Sequence, residues 1–364
     1  MAETKSGRIL SIDAARGFDM FWIIGGGGLV TRLATVIHPD AGAFCETQLK
    51  HVPWEGFRFI DLVMPLFIFL AGCSLPFSID SRRKKGDSTA KIYRHTVRRL
   101  LILWVFGMML QGRLLEYDWS RLVFYSNTLQ SIAAGTFFST IFLLHFSKKW
   151  QIGLTAGCVV LFGLLLRFAP VPEFGAGVLT AEGNFAHYVD TLVLGTLDAP
   201  SYTWVLSTLG FVATAMLGAF AGGIIRSGMP KARIAATLFA VGAGLTVTGW
   251  AGSFCIPIIK HIWNETFVLY SGGLSFLCLA VFYTLVDVLG WRRWSLFFVV
   301  IGTNAIFIYM ATHLFNFGVF SDRLVQGLRH HTETFYPLIS AAAKFAVGYA
   351  LLVWLYRRKI FFKI

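Results

Sequence analysis

From Phe59 to Phe77 the chain reads FIDLVMPLFIFLAGCSLPF, with Asp61 as its one charge. An apolar stretch of roughly 20 residues, wound as a helix, matches the hydrocarbon thickness of a bilayer. The rest of the sequence repeats the pattern. Apolar runs fall at 18–37, 57–79, 95–112, 127–146, 152–169, 204–225, 234–252, 266–288, 295–313 and 337–356, with Gly/Pro and charged breaks between them. Only 14% of the 364 residues are charged and 56% are hydrophobic, whereas a soluble domain carries about a quarter charged residues. The expected fold is all-α: one polytopic membrane domain over 1–364, with about ten transmembrane helices and no soluble domain.

The opening MAETKSGRILSIDAARGF contains Glu3 and Asp13 and lacks a short apolar core with a small-residue cleavage site, so the first run is expected to be a retained span. Lys and Arg set the orientation. With the amino end inside, the inner segments hold Lys5, Arg8 and Arg16, then the cluster from Arg82 to Arg99, then Lys148 and Lys149. Arg226, Lys231 and Arg233 follow, then Arg292 and Arg293, then Arg357, Arg358, Lys359 and Lys363. Most of the 32 basic residues are in these segments, which puts both termini in the cytoplasm. The net charge of +13 follows from this bias or, more sharply, from an anionic ligand on the cytoplasmic face. The outer loops 38–56, 170–203 and 314–336 are longer and carry most histidines. Five scattered cysteines, with no C-x-x-C and no H-E-x-x-H, imply no metal or redox site. Phosphate-loop and nucleophile-elbow motifs are absent, and nucleic acid is not an expected partner.

Ionisable groups inside apolar spans are expensive and mark candidate sites. Asp19 lies in the first span, and Asp13 and Arg16 share a helix face just before it. The Gly25–Gly28 run is a poor helix interior. It serves either close helix packing or a backbone break that admits a ligand. The densest constellation is KHVPWEGFRFIDLVMPLFIFLAG: His51 just outside the second span, then Trp54, Glu55, Arg58 and Asp61. Histidine accepts and returns a proton near neutral pH, and Glu55 or Asp61 is placed to orient its ring. Lys260, His261, Trp263 and Glu265 precede the eighth span, and Asn304 and His313 belong to the ninth. For the amides, an interhelical hydrogen bond is the plainer explanation.

The stretches SIDAARGF, KHVPWEGFRFIDLVMPLFIFLAG, VDTLVLG, GTNAIFIYMATHLF and LYRRKIFFKI occur in order over nearly the whole chain. This set resembles the heparan-α-glucosaminide N-acetyltransferase family of transmembrane acyltransferases, particularly its bacterial relatives. The resemblance implies transfer of acetyl from cytosolic acetyl-CoA, as co-substrate and without a metal, to an extracytoplasmic sugar. It also implies a bacterial inner membrane, and it is compatible with a homodimer. It assigns the active-site histidine to His51 and matches Asp61, His313, Asp13 and Arg16 to family motifs. Two departures stand out. Glycine near Gly27 replaces an Asn that family members can carry, and the amino-terminal lumenal domain of the animal enzyme has no counterpart.

Together these readings nominate His51, Asp61 and Glu55 as catalytic and Trp54, Asp19, Lys260, Trp263, Asn304 and His313 as acceptor-binding. Arg16, Gly26, Gly27, Arg98 and Arg99 are nominated for CoA. His51 acts either as general base or as a transient acyl carrier. The alternative is a proton-coupled transporter or flippase for a sugar-linked or anionic solute, with Asp19, Asp61 and His51 as a relay.

Overall fold

A computed structural model describes residues 9–112, 114–118, 122–195 and 202–362, so Lys5, Arg8 and Lys363 lie outside the described residues. In chain order the helices are α1 Leu10–Phe21, α2 Gly27–Ile37, α3 Pro39–Gln48, α4 Val63–Lys84, α5 Thr89–Leu110 and α6 Thr128–His145. Then come α7 Lys148–Phe168, α8 Phe185–Leu194, α9 Thr208–Ile225, α10 Lys231–Gly252 and α11 Glu265–Tyr283. The last are α12 Ser295–Gly302, α13 Ala305–Leu314, α14 Phe317–Val325, α15 Arg329–Thr332 and α16 Tyr336–Arg357. A two-residue hairpin pairs Pro170–Val171 with Gly175–Ala176. Among the described residues 8 helical segments are long and apolar enough to cross a bilayer, or 9 with α12 and α13 counted as one bent span. The protein is an all-α polytopic membrane protein.

The expected third span, 95–112, is α5, which is not among those segments. Its first half carries Lys91, Arg94, Arg98 and Arg99, and the apolar remainder from Leu100 to Leu110 covers about half of a hydrocarbon core. Two expected spans are broken rather than straight. Between α1 and α2 the helix widens over Trp22–Gly26, where Gly25 has φ 118°. Only glycine takes that conformation without strain, and the four-glycine run supplies it. α12 and α13 meet at Thr303–Asn304 with a bend of 70°.

The chain divides into two compact units. Unit 1 comprises residues up to His51, the stretch Arg58–Val63, and the chain from Cys278 to Lys363. Within it α1 crosses α12 at backbone contact. A methyl on Gly17 would overlap the Phe298 carbonyl, and one on Gly302 would overlap the carbonyl of Asp13. Small residues permit such an approach, and close packing holds helices together where both are already surrounded by lipid. Phe21 then packs edge-on to Phe345 at 5.3 Å, and Phe297 stacks on Tyr349 at 4.8 Å, tying in α16.

Unit 2 comprises Val52–Phe57 and Met64–Leu277. Its core repeats the device. A methyl on Gly72 of α4 would overlap the Ala215 carbonyl of α9, and one on Gly218 would overlap the carbonyl of Phe69. Phe69 in turn meets Phe276 of α11 edge-on at 5.0 Å.

Candidate functional site

In unit 1 the loop after α3 turns into the short 3-10 segment Phe59–Leu62, and this turn builds the site. Asp61 is fully buried at the third position of that turn. Its Oδ2 accepts the Arg58 backbone N–H at 3.0 Å, and its Oδ1 stands 2.7 Å from His51 Nδ1. A carboxylate can only accept, so Nδ1 carries the ring proton and Nε2 becomes the basic nitrogen. The His51 side chain is 49% exposed, so a buried anion holds the inner edge of a ring whose outer part is open to solvent.

The loop is fixed independently of the dyad. Arg58 Nη1 donates to the carbonyls of Lys50 and His51, both at 3.3 Å. Gln48 Oε1 accepts the Phe59 N–H at 3.1 Å. The Arg58 guanidinium therefore binds backbone oxygens, while its main-chain N–H reaches Asp61. Gly27, after the helix break, lies 3.6 Å (as a built methyl) from Leu49 of the same loop. Gly26 is packed against Phe21. These two glycines thus serve helix packing, while the space beside Gly25 is open.

Asp19 is fully buried in α1, and among the described residues neither carboxylate oxygen has a hydrogen-bond partner. The Trp22 indole N–H, three residues on, is likewise buried with no hydrogen-bond acceptor among the described residues. Arg16 donates to Asp13 at 3.0 Å, so that pair closes the start of α1. Asn304, at the bend, is engaged on both sides by the carboxyl-terminal segment. Its Nδ2 donates to the Ile360 carbonyl at 3.1 Å, and its Oδ1 accepts the Phe362 N–H at 3.0 Å. Phe362 stacks on Phe307 at 4.6 Å. His313 is exposed, and its Nδ1 lies 2.8 Å from the Tyr309 carbonyl one turn earlier.

Unit 2 holds the other nominated residues. Trp54 donates from Nε1 to the Leu179 carbonyl at 2.8 Å and stacks on His261 at 5.1 Å, and Tyr202 covers the same imidazole at 4.4 Å. Glu55 is exposed, and its backbone bridges to Ile259. Lys260 is buried. Trp263 is buried with φ 54° and donates to Thr214 Oγ1 at 3.1 Å, which is a packing role. Around the basic cluster, Arg82 and Lys91 bind Asp87 while Lys84 and Arg226 bind Asp80. The Lys91 ammonium holds the Asp87 carboxyl below its ordinary range. Arg94 and Arg98 lie four apart and exposed on α5, and Arg99 is half-buried.

Sequence reasoning passed over two residues. Gln48 gave no signal, since one amide in a polar loop is unremarkable. Asp190 had one, the acid of VDTLVLG. It is fully buried in α8 and accepts the backbone N–H groups of Trp204 at 2.7 Å and Val205 at 2.9 Å. Burial pushes its carboxyl up to about 6, opposed by those two hydrogen bonds. The loop it pins is joined to the His261 segment, by Thr203 N–H to the His261 carbonyl and by Ser207 Oγ to the Ile262 carbonyl, both at 2.9 Å.

No protein-family model matches the chain. Among curated proteins it is similar to heparan-alpha-glucosaminide N-acetyltransferase of Mus musculus, 26% identical over 93% of this chain and 59% of that protein. It is likewise similar to the Homo sapiens protein of the same name, 25% identical over 98% of this chain and 60% of that protein. The chain therefore spans about three fifths of the length of the curated relatives it matches. The two matches support a distant relationship to that family along nearly the whole chain.

Proposed function

We propose that this protein is a transmembrane acyltransferase that moves an acetyl group from acetyl-CoA to an amine or hydroxyl of a sugar. The observation that carries this reading is the His51–Asp61 pair at 2.7 Å, with the ring half exposed and the carboxylate fully buried. Asp61 fixes the tautomer in which Nε2 is basic. Nε2 takes the proton of the acceptor amine or hydroxyl as its lone pair attacks the thioester carbonyl. The carbon–sulfur bond then breaks, and the proton passes to the departing thiolate, giving free CoA. Such proton transfer contributes about 10²–10⁴-fold in rate. The same nitrogen also suits a two-step route in which it carries the acetyl group first. Asp61 stabilises the imidazolium or acyl-imidazolium in either route.

Arg94 and Arg98 of α5, both exposed, suit the phosphates of CoA, since Asp80 and Asp87 engage other members of the basic cluster, and Arg99 adjoins them. The positive-inside distribution favours a cytoplasmic basic cluster and cytoplasmic termini, with His51 on the far side, and a bacterial inner membrane fits the family resemblance. The relatives' name supplies an α-glucosaminide with a free amine as the starting acceptor to try.

One observation favours a second reading. Unit 1 contains two broken helices, α1–α2 and α12–α13, and interrupted spans are common at transporter substrate sites. Purified protein, given acetyl-CoA with glucosamine and then with neutral sugars, separates the two. Sugar-dependent release of CoA that vanishes in His51→Ala supports the acyltransferase. Failure to bind acetyl-CoA, together with sugar uptake into proteoliposomes, overturns it in favour of transport.

A further inference from the structure

We infer that unit 1 carries a lipid-binding groove between α13, α14 and α16, built to seat one hydrocarbon chain of an anionic phospholipid with its phosphate at Lys344. The groove has a volume of about 650 Å³ and is lined by Phe307, Met310, Leu314, Phe317, Phe320 and Leu351. That volume lies within the range of small-ligand sites, about 300–1,000 Å³. Its lining is almost wholly apolar, and Asn316 supplies the polar exception.

The depth of the groove identifies what surrounds it. Leu351 lies past the middle of α16, itself a membrane span, on the side toward Arg357 and more than a turn inside that end. That end of the groove therefore opens into hydrocarbon. At the other end lies α14, too short to cross a bilayer. Phe317, Phe320 and Leu324 repeat along it at helical spacing on one face, and Phe320 and Leu324 are 57% and 64% exposed. Its polar Asp322 is turned to α16, where it accepts from Ser340 Oγ at 2.7 Å. A short helix with an exposed aromatic face lies at the boundary between headgroups and chains. The groove thus runs from headgroup level into the bilayer interior, as a lipid chain does.

The rim supplies the charge. Lys344 stands one turn from Val347 and two from Leu351 on the groove-lining stripe of α16, and it is exposed. Its stem passes Gly318 of α14, with Cδ 3.9 Å from where a methyl on that glycine would lie. A lysine within a span extends its ammonium toward the headgroups along such a path. Among the described residues no carboxylate lies within ion-pair distance of Lys344. Asn316 keeps its Oδ1 on the Gly318 N–H at 3.0 Å, which leaves the amide NH₂ as a donor at the same rim. A cation and an amide donor above an apolar slot complement a phosphate above a chain, and the net positive charge selects an anionic headgroup over a zwitterionic one.

The test uses the full-length protein in proteoliposomes containing either phosphatidylglycerol or phosphatidylcholine with a photoreactive diazirine in the acyl chain. Crosslinked peptides are then mapped by mass spectrometry. We expect phosphatidylglycerol to label the 305–325 and 344–351 peptides at least about threefold more than phosphatidylcholine does, relative to labelling of α10. Lys344→Gln should bring the two lipids level, and Leu314→Trp should suppress groove labelling while α10 labelling persists. Equal labelling of the groove and α10 in the unaltered protein overturns the inference, without recourse to any variant. So does a Phe320→Cys protein that forms a disulfide with a second copy, since the face is then an interface between chains. Either outcome leaves the acyltransferase reading untouched, because no step of that reaction uses the groove.

Discussion

The His51 imidazole meets the buried Asp61 carboxylate at 2.7 Å, and Arg58 braces the turn that joins them by donating to the His51 carbonyl at 3.3 Å. The carboxylate thus orients the ring from inside the protein, and the guanidinium anchors the backbone that carries it. Asp61→Asn keeps the shape but can donate to Nδ1, which favours the tautomer with the proton on Nε2. Acetyl transfer should fall by about 10²–10⁴-fold with the KM for acetyl-CoA little changed. Steady-state kinetics on both substrates, with circular dichroism to confirm folding, provide the check. Unaltered kcat in Asp61→Asn would remove the dyad from the mechanism.

Arg98 offers a complementary measurement on the other substrate. It is exposed on α5 with Arg94 four residues earlier. Arg98→Gln should raise the KM for acetyl-CoA severalfold and leave kcat nearly constant. The effect should shrink as salt rises, because screening weakens the native contact as well. Titrations at two ionic strengths test this, and a variant that lowers kcat alone would place Arg98 outside CoA binding.

Asp190 predicts a pH dependence of stability. Burial raises its folded-state value to about 6, above the ordinary 3.8. A raised carboxyl favours the protonated form in the folded protein, so its stabilising contribution is complete below the ordinary value. That contribution is lost as pH climbs through about 6. The change is on the order of 3 kcal/mol across this window. Thermal melts of the detergent-solubilised protein between pH 4 and 7.5 should show it as a falling Tm, and Asp190→Asn should flatten the curve. A flat profile in the unaltered protein would rule out this linkage.

Asn304 should behave as a clamp on the carboxyl-terminal segment. Asn304→Ala removes two hydrogen bonds, to Ile360 and Phe362. It should cost roughly 1–3 kcal/mol. Limited proteolysis should then release the tail, and truncation after Arg357 should add little to the damage in a double-mutant comparison. Additive effects would mean that the amide acts elsewhere.

Asp19 gives the opposite expectation. With no hydrogen bond to lose among the described residues, Asp19→Asn should leave Tm unchanged or raise it, unlike most substitutions of buried polar residues. Acetyl transfer should nevertheless fall, because a group kept at a cost to stability is kept for function. Full activity with unchanged Tm would make Asp19 dispensable.

Much of this was legible in the chain. The apolar runs locate the spans because a bilayer imposes length and composition directly, and KHVPWEGFRFID contains both members of the dyad within one short segment. The sequence could not decide between Glu55 and Asp61, since both are within a few residues of His51. The 3-10 turn at Phe59–Leu62 decides it by carrying Asp61 inward, while Glu55 belongs to a segment whose backbone pairs with Ile259. α5 was less legible because hydropathy averages over a helix whose two halves differ, although the alternation of basic loops counts it as a crossing. The breaks at Gly25 and Thr303–Asn304 differ in legibility: four glycines announce the first, whereas the second depends on a tail more than fifty residues away. Trp54 and Trp263 look alike in sequence, yet one stacks on a histidine and the other fills a core.

Unit 1 draws on both ends of the chain, and this orders its assembly in time. The second unit is nearly continuous, from Met64 to Leu277, and can gather its helices as each leaves the ribosome. α1 cannot do the same. The carbonyls and glycines of its crossing with α12 wait for a partner synthesised after unit 2, and α16 comes later still. The local turn that joins His51 to Asp61 can form early, but the framework around it closes only after the whole of unit 2 has been made. A chain stopped before α12 would carry the His51–Asp61 pair and lack the helix against which its first span is fitted.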